Sequence, residues 1–230
     1  MRALLLIAVC WIASTVSAQD LRKEFVDMND YLEGLSNFQM TVNYQTSGAE
    51  ELEETGAVSV IVGENGMFYQ LGGASIVLNN KQTILIDDEE RSIIYSDNAK
   101  AKKNNSVLLT EHLLKGIDSL ITRANDIEFY MDGKTRVYSI RMENAYFDLV
   151  QVHFEQKCIA KVQYFYNSNF VDYKGLQATC IVDIQENIEF DKNCLATDYY
   201  LSEKDGVKVP SEKFTNYLII YNESLESFID

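Results

Sequence analysis

The sequence predicts an α+β, mostly-β fold in which one large antiparallel sheet curves over two amphipathic helices without closing. Two observations predict it. Apolar residues recur at helical spacing in only two stretches of residues 19–230, namely 20–35 and 106–124. Nearly everything else alternates with period two in roughly a dozen short runs separated by turn residues. An open sheet that large must curl, and its apolar face needs cover.

The chain begins with Arg2, an apolar run over 3–12 and small residues ending Val16-Ser17-Ala18. This is the order of a cleavable secretory signal, so residues 1–18 are expected to be removed and the mature chain to start at Gln19 as a single domain, 19–230. The run is shorter than the ~20 apolar residues a spanning helix needs. Removing Arg2 from 20 basic residues against 35 acidic ones leaves 19 − 35, a formal charge of −16. Nucleic acid and anionic membrane surfaces are poor partners for that field. Acidic runs at 50–54 and 87–90 fall where turns are expected and read as solvated loops.

Leu21, Phe25, Met28, Leu32 and Leu35 mark one face of the first helix, with Asp20 placed to cap it and Gly34 near its end. At Ser36 the period changes to two. Phe38, Met40, Val42 and Tyr44 alternate with polar residues in the first strand, and Val58, Val60 and Val62 do so in the second. The turn Gly63-Glu64-Asn65-Gly66 leads into residues 67–71, and short strands follow at 75–78, 82–86 and 92–95, an antiparallel meander. Leu109, Leu113, Ile117, Leu120 and Ile121 lie on the face of the second helix.

A second meander begins at Ile127, with Asp132-Gly133 as a tight hairpin turn. Strands are expected at 138–142, 146–154 and 158–166, then a long one in which Ala178, Cys180, Val182, Ile184, Ile188 and Phe190 share a face. A last hairpin centres on Asp205-Gly206, and 214–221 reads as the final strand. Pro210, the only proline, falls between elements.

No motif for catalysis or metal binding stands out. There is no GxSxG, HExxH or phosphate-binding glycine loop, and His112 and His153 are isolated. Cys158, Cys180 and Cys194, an odd number without CxxC spacing, allow at most one internal disulfide. The chain is therefore expected not to be an enzyme and to hold no cofactor or metal. The Tyr164-Phe165-Tyr166 and Tyr199-Tyr200 groups read as strand aromatics at a sheet boundary.

Residues 20–25, 35–38 and Met40-Thr41-Val42 resemble the start of the LolA-like periplasmic lipoprotein carriers, in which a short helix leads into a strand opening on an S-x-F type sequence. Residues 55–60, 80–88 and Ile93-Ile94-Tyr95 are similar to the strands before the family's buried helix, so the resemblance runs over about 20–124. It departs at Gly63-Glu64-Asn65-Gly66, where the carriers usually have a basic residue and a proline. The resemblance implies an unclosed half-barrel whose cavity holds acyl chains in transit to the outer membrane. The expectation is then a periplasmic, monomeric carrier or receptor for a lipid or lipoprotein acyl chain, with envelope membrane proteins as further partners. The alternative is an envelope interaction or sensor module of the same fold with a filled cavity.

Phe38, Met40, Val42, Val58, Val60, Val62, Leu113, Ile117 and Leu120 are the expected cavity lining. Lys100, Lys102 and Lys103 gather in a polar loop and are the expected head-group contacts, with residues 96–114 forming a lid.

Overall fold

A computed structural model describes residues 2–48, 53–64, 66–79, 82–97, 116–143, 145–169 and 175–222. Its contacts divide into two compact units. The first comprises Met1–Gly34, Val42–Gly56 and Thr110–Asp183, and the second Leu35–Thr41, Ala57–Leu109 and Ile184–Asp230. The fold is mostly β. Twelve strands follow one another in a hydrogen-bonded order whose first and last members are not paired to each other, so the sheet is open. Every sheet pairing whose register is resolved is antiparallel except one.

In the first unit, helix α1 (Arg2–Glu33) ends at Gly34, whose amide donates back to Asp30 and Tyr31. The expected periodicity holds: Leu21, Phe25, Met28 and Leu32 are all buried. The helix lies against strand β7 (Ala124–Asp132), which with β8 (Thr135–Met142), β9 (Phe147–Glu155) and β10 (Cys158–Tyr166) forms a meander completed by β11 (Gln177–Glu186). Residues paired directly across antiparallel strands share a face. Ile127, Tyr138, Ile140, Val150, Val152 and Phe154 therefore lie together on the apolar side, and the Phe25 ring meets Phe154 edge-on at 5.2 Å. Glu24 on α1 ties the helix to the sheet by accepting from Arg136 Nη2 at 2.9 Å, and the same nitrogen donates to the Gln156 carbonyl at 2.7 Å. The hairpin turn at Gly133 takes positive φ, as Asp132-Gly133 predicts. Residues 116–123 form the described part of the second helix, α2; the rest of its predicted span, and most of the expected lid, lie outside the described residues.

In the second unit, β2 (Thr55–Gly63), β3 (Gly66–Leu71), β4 (Ala74–Asn79), β5 (Gln82–Asp87) and β6 (Ser92–Asp97) form the expected meander. The acidic run after β5 is a turn: Asp87 Oδ1 accepts from the amides of Glu89 and Glu90 at 3.0 and 2.9 Å. Both faces of β4–β6 carry buried side chains. Val77, Ile84, Ile86 and Ile93 lie on one, and Leu78, Thr83 and Ser96 on the other. Thr83 and Ser96 are small polar residues buried along with their neighbours.

Three expectations fail in the chain that follows. β11 stops at Glu186, because Asn187 adopts positive φ and turns the backbone, so Ile188 and Phe190 lie beyond the strand. Two short helical turns were not foreseen: a 3-10 turn over Lys192–Leu195 and α3 (Thr197–Tyr200). After the hairpin of β12 (Leu201–Lys204) and β13 (Val207–Pro210), Phe214 sits in a 3-10 turn rather than in the last strand. That strand, β14 (Leu218–Tyr221), is short and pairs parallel with β6, Ile219 opposite Ile93.

Candidate functional site

The segment after β11 covers the Val77, Ile84, Ile86 and Ile93 face of the second unit, and its own hydrogen bonds fix its path. Asp191 caps the 3-10 turn, its carboxylate accepting from the Asn193 amide at 3.0 Å. The Tyr200 hydroxyl donates to the Cys194 carbonyl at 3.0 Å, and Ser211 Oγ donates to the Tyr199 carbonyl at 2.7 Å. The Leu218 amide then reaches the Arg91 carbonyl at 2.9 Å and delivers β14 to the sheet.

This path gathers aromatic rings. Tyr199 and Tyr200 stand 4.9 Å apart edge-on, Tyr200 and Phe214 5.4 Å, and Phe214 and Tyr217 5.1 Å. Between them and β3–β5 lies a cleft of about 360 Å³, walled by Phe68, Ile86, Tyr199, Tyr200, Phe214 and Tyr217. Charge borders this aromatic wall. Lys213 Nζ is paired with the Tyr199 hydroxyl and stands 4.1 Å from the ring centroid, and the Tyr217 hydroxyl donates to Asp88 at 2.7 Å. That hydrogen bond raises the Tyr217 pKa. Cys194 also lines the cleft; burial, and then the Asp191 carboxylate, push its thiol up to about 11. Burial first, and then Cys194, raise the Tyr200 pKa as well. These groups are neutral at pH 7, so Lys213 and Asp88 are the charges at this cleft.

A second cleft, of about 340 Å³, lies on the other side of the same 3-10 turn, with Lys192, Leu195 and Ala196 on one wall and Ser36, Asn37, Gly63 and Glu64 on the other. A Cβ on Gly63 would stand 2.9 Å from Leu195 and 3.0 Å from Phe190, so a side chain there would have to displace the ends of these two. Asn37 Oδ1 is buried here without a hydrogen-bond partner among the described residues.

The residues expected to line a cavity are placed as follows. Gln39 donates to Ser59 across β1 (Phe38–Ser47) and β2 at 2.9 Å, which puts Phe38 and Met40 with Val58, Val60 and Val62 on the opposite face, in the second unit. Phe38, Val60 and Val62 are 1 %, 3 % and 5 % exposed, while Met40 and Val58 are half-buried. In the first unit Ile117 is 6 % exposed, and Val42 and Leu120 are half-buried. Leu113, Lys100, Lys102 and Lys103 lie outside the described residues. None of the eight that are described borders either cleft.

The aromatic wall escapes a sequence reading because Tyr199-Tyr200 and Phe214 look like strand residues. Two signals could have found it: Asp191 as a cap before Lys-Asn-Cys-Leu, and Pro210-Ser211 as a break before Glu212. Among the described residues no three His, Cys, Asp or Glu side chains are grouped to hold a metal ion, and no helix is long and apolar enough to cross a membrane.

No family model and no curated protein matches the chain. Several solved structures are similar to it. A conserved protein from Thermus thermophilus aligns at 9 % identity and a TM-score of 0.46, over 87 % of this chain and 98 % of that one. A LolA superfamily protein from Nitrosomonas europaea, the family that the sequence resembles, aligns at 10 % identity and 0.33, over 77 % and 97 %. The lipoprotein LppX of Mycobacterium tuberculosis aligns at 14 % and 0.35, over 75 % and 99 %.

Proposed function

We propose that this chain is an exported, non-enzymatic carrier or receptor that holds the apolar part of an amphiphile, an acyl chain of a lipid or lipoprotein, in the aromatic cleft of the second unit. The observation that carries this reading is the cleft itself. Its volume of about 360 Å³ is at the small end of ligand pockets, ~300–1,000 Å³, and such pockets combine apolar walls with a few placed polar groups. Lys213 at its border suits an anionic head group. Export through the 1–18 signal would place the mature chain, from Gln19 onward, in the periplasm, where transfer toward the outer membrane is the corresponding role.

The experiment is titration of an environment-sensitive fatty-acid probe into the mature protein. Saturable binding is expected, weakened about tenfold by Lys213→Ala and lost in Phe214→Asp. Saturable binding that neither substitution changes would remove the cleft from the reading. Absence of binding would remove the carrier reading altogether.

A second reading, an envelope interaction module with a filled interior, draws on the near-complete burial of Phe38, Val60, Val62 and Ile117. Side chains facing a ligand-sized space keep accessible area, and these four do not. Val60→Trp tests them: in a closed core it costs ~1–3 kcal/mol and leaves probe binding in the aromatic cleft unchanged.

A further inference from the structure

Among the described residues, strand β7 ends the hydrogen-bonded order of the sheet, and its pairing with β8 uses one of its two edges. Natural sheets blunt such edges with proline, lysine, bulges or a covering element. β7 has a bulge near Asp126, but from Ile127 to Asp132 its register with β8 is regular, with neither proline nor lysine. All five residues Glu128–Asp132 are exposed. Three of them are large and apolar in unbroken succession: Phe129 at 44 %, Tyr130 at 42 % and Met131 at 53 % exposure.

The two faces of this edge differ in chemistry. Phe129 packs on Tyr138 at 5.1 Å, Tyr138 on Phe154 at 6.0 Å and Phe154 on Phe25, so an aromatic row runs from the core of the first unit to the open edge. Met131 alternates onto the same face. The opposite face presents Glu128, Tyr130 and Asp132, with Arg141 3.6 Å from Glu128.

We propose that the outer edge of β7 is a docking site for an extended segment of another protein, added as an antiparallel strand, with apolar residues opposite Phe129 and Met131 and lysines or arginines opposite Glu128 and Asp132. Backbone hydrogen bonds give such β-augmentation its affinity, and alternate side chains its specificity. Charge decides the occupant. A second copy paired about a two-fold axis through the edge would set acidic side chains against acidic side chains, in a chain whose formal charge is already −15. A cationic strand meets the edge with complementary charge and extends the aromatic row by one residue. This site is independent of the aromatic cleft.

The test uses the mature protein and a capped peptide with Lys-Val-Thr-Val-Lys at its centre, followed by fluorescence anisotropy and hydrogen exchange. Saturable binding is expected, with slowed exchange confined to the amides of Glu128–Asp132. Replacing the peptide lysines by glutamates, or N-methylating alternate amides, should weaken binding at least tenfold. The double variant Phe129→Lys, Met131→Lys should do the same while leaving the helical and strand circular dichroism unchanged. Equal affinity for the N-methylated peptide, protection elsewhere, or no binding at all would overturn the proposal. So would concentration-dependent dimerisation without peptide that the double variant abolishes, since the occupant would then be a second copy.

Discussion

Phe154 is the residue on which the first unit turns, because its ring meets α1 through Phe25 and β8 through Tyr138 while its own side chain is fully buried. Phe154→Ala should destabilise the protein by about 3–5 kcal/mol, read as a lower urea midpoint in far-ultraviolet circular dichroism. The Glu24–Arg136 pair joins the same helix and strand but remains partly solvated. Glu24→Gln should therefore cost only about 1–2 kcal/mol, the value of a charge-assisted hydrogen bond reduced by solvent screening. His153, beside Lys161 on the other sheet face, has a pKa lowered first by burial and then by that lysine, and its Nε2 has no hydrogen-bond partner among the described residues. The unfolded chain takes up a proton near ~6.5, but the folded one does so only at lower pH. The stability this residue contributes is thus complete above ~6.5 and is lost as the pH falls toward the folded pKa. Melting temperature measured from pH 7.5 to 5.0 should fall less steeply in His153→Gln than in the wild type. An unchanged slope would remove His153 as the cause. In the cleft, Cys194 should react slowly with a methanethiosulfonate at pH 8, because a thiol held near 11 is almost wholly protonated there. Fatty-acid probe bound in the cleft should slow the reaction further.

Among the elements, those whose partners are close in sequence could be read directly. The spacing of Leu21, Phe25, Met28 and Leu32 announced α1, and the alternation of Val58, Val60 and Val62 announced β2, because burial of one face imposes the period on the residues themselves. The Gly133 and Gly206 turns were legible for the same local reason, both taking positive φ. What could not be read were the elements defined by distant partners. Ile188 and Phe190 continue an alternating pattern past the end of β11, since an apolar residue over a sheet looks the same in sequence as one within it. Phe214 and Tyr217 look like strand residues, yet Phe214 caps a hydrophobic cluster built on β4, β5 and β6. The candidate site is illegible in the sequence for this reason, as its wall is contributed by a segment far along the chain from its floor. Truncation after Ser211 tests that arrangement. It removes Phe214, Tyr217 and β14, exposing Ile93 and the edge of β6. The truncated protein should bind a hydrophobic dye and elute as aggregate in gel filtration, whereas a monomeric product with unchanged melting would mean the segment is dispensable.

For the whole molecule the dominant quantity is charge. With a sequence pI of about 4.5, the protein should remain soluble and fail to bind nucleic acid or anionic vesicles at pH 7. Its least soluble point should lie near the pI. Lipid recovered with the protein by native mass spectrometry should be held by the apolar cleft, and raising the salt should leave its acyl contacts in place while weakening a head-group contact at Lys213.

The second unit also carries an order of events in time. Phe214 follows Ile93 by 214 − 93, that is 121, residues, so the strands that need covering leave the ribosome well before the segment that covers them. Closing so long a loop is slow, and the meander cannot bury its Val77, Ile84 and Ile93 face until nearly all of the chain has been made. A chain that must cross a membrane before it folds gains from this delay. Under the proposed export, the late arrival of this lining would keep the chain threadable during passage, and the same residues would complete the cleft on the far side.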